Sequence, residues 1–205
     1  MKINTESPVF PFLGTFLDFV ILNLIFIITC IPVITIGPAV SALYTITMRE
    51  ARNESGYIIK PYLAAFKENF KNSFCLSLIY ALIGAVLVYN LIFWIQLRTL
   101  PGNIILILIS FLTLLYVLSL LYVFALSARF RNTVRQTAKN SLLIALASPK
   151  QTLFLLLILI IAIALGCVSA IFRVFLVIFG FAFLAYCSSF PLTKVFHKFE
   201  NEETL

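Results

Sequence analysis

Five stretches of at least 20 residues carry no charged side chain: 19–48, 72–97, 99–128, 151–172 and 174–193. An α-helix rises about 1.5 Å per residue and the hydrocarbon core of a bilayer is about 30 Å thick, so about 20 residues suffice to cross it. Five such stretches in one chain predict a membrane protein. Inside lipid only helices and closed barrels satisfy their backbone groups. Barrel strands alternate apolar and polar residues, whereas 104–109 and 153–165 are continuously apolar. The expected fold class is therefore all-α: a polytopic transmembrane helix bundle with about five spans and short interfacial helices.

Composition agrees. Of 205 residues, 62% are apolar and 11% charged, and the mean hydropathy is +1.08. Soluble domains run near ~25% charged, so this chain lacks the polar surface to cover a core in water. We read 1–205 as a single membrane domain with spans at about 13–35, 73–95, 104–127, 152–170 and 174–193. The loops that join them at about 49–71 and 129–150 are expected to be cytoplasmic. Arg173 is expected to mark a tight turn between the last two spans. The first apolar run is too long for a signal-peptide core and is interrupted by Asp18, so it is read as a retained span.

Within the first run, Pro32, Gly37 and Pro38 break the helix. The short segment after them, rich in Gly, Ala and Ser from Gly37 to Ala42, is expected to pack closely at the edge of the bundle. Phe66, Phe70 and Phe74 recur every fourth residue beside Lys67 and Lys71. That pattern predicts an amphipathic interfacial helix that then turns into the second span. Lys71-Asn72-Ser73 is echoed by Lys139-Asn140-Ser141, a match short enough to be chance.

Orientation follows from the cations. The stretch 49–71 holds five Lys or Arg, 129–150 holds five, and Lys194 and Lys198 follow. Only Lys2, Arg98 and Arg173 would face the other side. The positive-inside rule then places the N-terminus outside and the C-terminus in the cytoplasm of a bacterial plasma membrane. The formal charge of +7 implies attraction to anionic headgroups on the cytoplasmic side. Nucleic acid is not an expected partner, because the basic residues adjoin the spans.

Little in the sequence suggests chemistry. No nucleophile motif, phosphate loop, dinucleotide fingerprint or His-Glu-x-x-His occurs, and neither an enzyme activity nor a cofactor is expected. His197 stands alone among Lys194, Lys198 and Glu200, without metal-ligand spacing. Cys30, Cys75, Cys167 and Cys187 are scattered singly and read as small packing residues. Asp18 is the one ionisable group well inside an apolar run, a functional candidate by default. The expectation is an outer polar cluster of Asp18, Asn23, Asn90 and Arg173, with Asp18 paired to Arg173 or Arg98.

Several segments together are similar to a known family. Phe19-Val20-Ile21-Leu22-Asn23-Leu24, Cys30-Ile31-Pro32-Val33-Ile34-Thr35-Ile36-Gly37-Pro38, Ala42-Leu43-Tyr44, Gly56-Tyr57-Ile58 and Phe66-Lys67-Glu68-Asn69-Phe70-Lys71 resemble the YesL-type bacterial membrane proteins. The resemblance runs the length of the chain, with its distinctive part in the first 75 residues. It supplies no catalytic residue or cofactor. It implies an accessory or regulatory role beside a carbohydrate-uptake transporter or a sensor. The other expectation is a permease-like transport subunit. Importer permeases dock an ATPase through a Glu-Ala-Ala…Gly loop, and Glu50, Ala51 and Gly56 match it loosely, with Arg52 in place of the second alanine.

Overall fold

The computed structural model describes residues 9–203 other than Ser55 and Arg98, and side chains from Gly14 to Glu200 apart from those two. Eight α-helices follow in chain order among the described residues. They are α1 (Val9–Cys30), α2 (Ile36–Ala51), α3 (Ile59–Leu97), α4 (Leu100–Arg129), α5 (Val134–Ala147), α6 (Pro149–Val168), α7 (Ala170–Phe175) and α8 (Phe181–Glu203). A 3₁₀ turn, Val33–Thr35, links α1 to α2, and a π-helical turn, Leu176–Gly180, carries α7 into α8. No strand occurs among the described residues.

Four stretches are long and apolar enough to cross a membrane: Ile59–Leu97, Leu100–Arg129, Pro149–Val168 and Ala170–Glu200. Their outward faces, with Leu82, Ile104, Leu153 and Ile160 among many others, are exposed. A monomer in water rarely shows contiguous apolar surface on this scale. The chain is a membrane protein built as an all-helical bundle.

α1 runs for 22 residues, Val9–Cys30, with Gly14–Cys30 apolar among the residues whose side chains are described, and it pairs with α2 in a hairpin. Thr35 Oγ1 donates to the carbonyls of Thr29 and Pro32, both at 2.6 Å, and so closes the turn. The hairpin folds α2 back along α1, so that Asp18, midway along α1, and Glu50, near the end of α2, line the same hollow.

α2 is not peripheral, as its length suggested, but central. Gly37, Ala39, Ser41, Ala42, Leu43, Ile46 and Thr47 are all buried, because α3, α4 and α8 pack around this helix. Small side chains allow the close approach. A Cβ on Gly37 would lie 2.6 Å from both the Ser73 carbonyl oxygen and Ser77 Cβ, so only glycine fits. Pro38 is tolerated because the first turn of a helix has no intrahelical use for its missing N–H.

Hydroxyls tie the helices across the apolar interior. Ser73 meets Ser127 at 2.8 Å, joining α3 to α4. Tyr80, Ser119 and Ser141 form a closed triad at 2.5, 2.6 and 3.2 Å that joins α3, α4 and α5. Both serines of the Lys-Asn-Ser echo thus reach a serine on α4. Ser189 donates to Thr47 at 2.9 Å, joining α8 to α2.

Three local expectations need correction. No break separates the Phe66–Phe74 segment from the span: α3 is continuous for 39 residues. The amphipathic pattern extends the transmembrane helix, and Phe66, Phe70 and Phe74 form a contiguous run of ring contacts along it. The stretch 129–150 is mostly helix, since α5 carries buried Thr137, Ser141, Ile144 and Ala145 against α4. The turn before the last span falls at Ser169, whose hydroxyl accepts from Phe172 N at 3.2 Å, and Arg173 lies within α7.

Candidate functional site

The end of the bundle that gathers the basic residues also holds its most polar concavities. α2 stops at Ala51, and the chain turns through Asn53, whose φ of 60° is left-handed. Asparagine tolerates that conformation better than most residues. Arg49 fixes the loop that follows. Its Nη2 donates to the Tyr57 carbonyl at 3.0 Å, and its own carbonyl accepts from Glu54 N at 3.1 Å. Ile58 then buries its side chain and anchors the start of α3.

Two adjoining hollows form between this loop and α1. The larger, about 810 Å³, is lined by Asp18, Ile21, Gly56, Tyr57, Ile58, Ile59 and Lys60. The smaller, about 50 Å³, shares Asp18, Gly56 and Ile58 and adds Thr15, Phe19, Leu22 and Glu50. The walls are mostly apolar, with one carboxylate and one ammonium at the larger mouth. Tyr57 stands 89% exposed at that rim. Two carboxylates therefore share the smaller hollow. Burial pushes the Glu50 carboxyl above its usual range, Arg49 at 3.7 Å opposes this, and Asp18 adds to it.

Of the expected outer cluster, no two of Asp18, Asn23, Asn90 and Arg173 share a hydrogen bond or ion pair among the described residues. Asp18 sits at the basic end, beside the loop after α2, and makes no ion pair there. Asn23 is fully buried and structural. Its Nδ2 donates to the carbonyls of Leu176 and Val177 at 3.2 and 2.7 Å, while Oδ1 accepts from Ala182 N at 3.0 Å. It thus satisfies the backbone groups that the π-helical turn displaces. Asn90 donates back to Val86 O within α3 at 2.8 Å. Arg173 is exposed on α7. Distance along the sequence from the apparent span edge misled the expectation, because α1 is half of a hairpin.

Of the expected docking loop, Glu50 is half-buried against Arg49, Ala51 ends α2, and Gly56 is exposed at the hollows. Lys67 and Lys71 are exposed on α3. Glu68 beside them pairs with Arg131. Sequence reasoning missed Tyr57 and Lys60 as groove residues. It also missed that Arg52, Arg129, Lys194, His197 and Lys198 converge. The spacing of Lys194, His197 and Lys198, three and four apart on a helix, was the available signal. Among the described residues no three His, Cys, Asp or Glu side chains are grouped to hold a metal.

No curated protein and no solved structure matches the chain. Residues 19–91, which take in α2, its loop and most of α1 and α3, match the model of a family described as a protein of unknown function, DUF624.

Proposed function

We propose that this chain is a non-catalytic accessory or regulatory protein of the plasma membrane, and that its partner is an uptake transporter or a sensor. The observation that carries the reading is the groove between α1 and residues 56–60. It is apolar, it lies at the membrane-proximal basic end, and it presents Lys60, a protruding Tyr57 and Asp18, which makes no ion pair among the described residues. A partner helix or loop with apolar residues and one or two polar groups complements such walls. The resemblance to YesL-type bacterial proteins points to carbohydrate uptake as the process served.

The basic end is taken as cytoplasmic by the positive-inside rule. Asp18, midway along α1, lies beside Gly56, and Glu200 of α8 lies against Arg129, which supports a reading with both ends of the chain on that side. On this reading the N-terminus is cytoplasmic, where the cation count alone leads to an expectation of outside.

A photo-crosslinking residue at Tyr57, with one at Asn103 as a control, tests the partner. Recovery of one transporter or sensor subunit from position 57 alone supports the reading. Adducts to lipid only, or the same proteins from both positions, overturn it. The permease alternative rests on Glu50, Ala51 and Gly56. It predicts that Glu50→Gln with Gly56→Ala abolishes association with an ATPase and stops uptake. Glu50, the acid on which that docking would turn, is largely buried beside Arg49, and Arg52 stands where the motif has its second alanine, so the accessory reading is preferred.

A further inference from the structure

A second concavity at the basic end has a different character. A recess of about 480 Å³ is lined by Arg52, Arg129, Thr193, Lys194, His197 and Lys198. Three elements that are distant in sequence build it: the C-cap of α2, the last residue of α4 and one face of α8. Among the described residues no carboxylate lines it.

Both arginines are held in place from outside. Glu200 accepts from Arg129 Nε and Nη2 at 2.8 and 2.7 Å, and the guanidinium lies over the Phe196 ring at 5.9 Å. Arg129 Nη1 is buried with no hydrogen-bond partner among the described residues. Glu54 accepts from Arg52 at 3.0 and 3.1 Å. Two carboxylates therefore fix the guanidiniums, and Lys194 and Lys198 line the same recess. His197 adds an imidazole. Thr193 supplies a hydroxyl. Arginine forks with lysine point charges are the donor set that proteins use for phosphate.

We propose that this recess binds a phosphate-bearing group at the membrane surface, either the headgroup of an anionic lipid or a soluble phosphate. Its position where α4 and α8 leave the apolar region is headgroup depth, where juxtamembrane cations meet anionic lipids. The inference is independent of the partner reading, since it needs no second protein.

The test uses the full chain in a neutral detergent. Phosphatidylglycerol, phosphatidylcholine and inorganic phosphate are added separately, with retention read by native mass spectrometry and Tm by thermal unfolding. Phosphatidylglycerol is expected to be retained and to raise Tm, and phosphatidylcholine to do neither. Lys194→Gln with Lys198→Gln should cut retention at least fivefold. Lys139→Gln with Lys150→Gln, the same charge loss at exposed positions elsewhere, should not. A response to inorganic phosphate equal to that of phosphatidylglycerol, lost in the recess variant, supports a soluble ligand at the same site. Equal retention by wild type and recess variant, or an equal loss in the control, overturns the proposal. Should the double variant fail to survive extraction, equal retention of the two lipids by the wild type overturns it.

Discussion

At the scale of single residues, what matters most is what cannot be added. Gly37 rests on the α3 backbone, so a methyl group there drives α2 away from the helix it is buried against. Gly37→Ala is expected to destabilise the chain by about 1–3 kcal/mol, the usual range for overpacking, read as a lower Tm in detergent. Gly56→Ala is the control, because its added Cβ would meet nothing nearer than Arg49 Nη2 at 3.9 Å. A Tm for Gly37→Ala equal to that of Gly56→Ala would refute the packing argument. Glu50 gives a prediction in pH. Its folded carboxyl holds its proton more tightly than an unfolded one, so the folded state binds more protons between the ordinary value of 4.5 and the raised one. Stability contributed by this group is therefore full below 4.5 and falls as pH rises through that window. Glu50→Gln should flatten that decline in a Tm-versus-pH series, with Asp18 and Arg49, the charged neighbours, left in place.

At the scale of elements, the apolar runs dictated helices because lipid leaves the backbone no other way to satisfy itself, and the four crossing stretches lie where the charge-free runs put them. What the runs could not reveal was how hydroxyls are spent. Tyr80, Ser119 and Ser141 read as scattered polar residues until α3, α4 and α5 bring them within hydrogen-bond reach. The same triad explains why 129–150 is not a simple loop: α5 has a partner for its polar face as well as its apolar one. Tyr80→Phe leaves two serines bonded to each other and is expected to cost about 0.6–1.5 kcal/mol, in line with hydroxyl bonds inside membranes and in proteins generally. Its sharper signature is local. Hydrogen exchange should speed up in α5 and the facing turns of α4, with α1 and α6 unchanged, and uniform acceleration would show that the triad does not hold α5 in particular. The candidate site was half legible. Asp18 stands out in the sequence as the odd carboxylate, but the company it keeps is set by the hairpin, and a proline-glycine break does not reveal which way the chain turns afterwards.

At the scale of the whole molecule, the hairpin decides the topology. α3, α4, α6 and the α7–α8 unit each traverse the bundle, an even number, while α1 and α2 go in and come back. On the proposed reading the first charge-free run is not a crossing and its start lies at the basic end, whereas counting it as a crossing puts that start on the other side. The cation pattern holds in either case, because Lys2, Arg98 and Arg173 are too few to change the bias. The two topologies differ in where a small impermeant thiol reagent can reach. With Cys30, Cys75, Cys167 and Cys187 replaced by Ala, single cysteines at Gly14, Asn53, Asn103 and Glu200 sample the start of α1, the first basic loop, the α3–α4 turn and α8. In intact cells only the Asn103 position should label, while Gly14, Asn53 and Glu200 should label together once the cytoplasmic face is opened in inverted vesicles. Labelling of position 14 from outside alongside 103 would mean that α1 crosses the membrane. The groove between α1 and the loop after α2 would then not exist in the cell, and the partner reading would lose its surface.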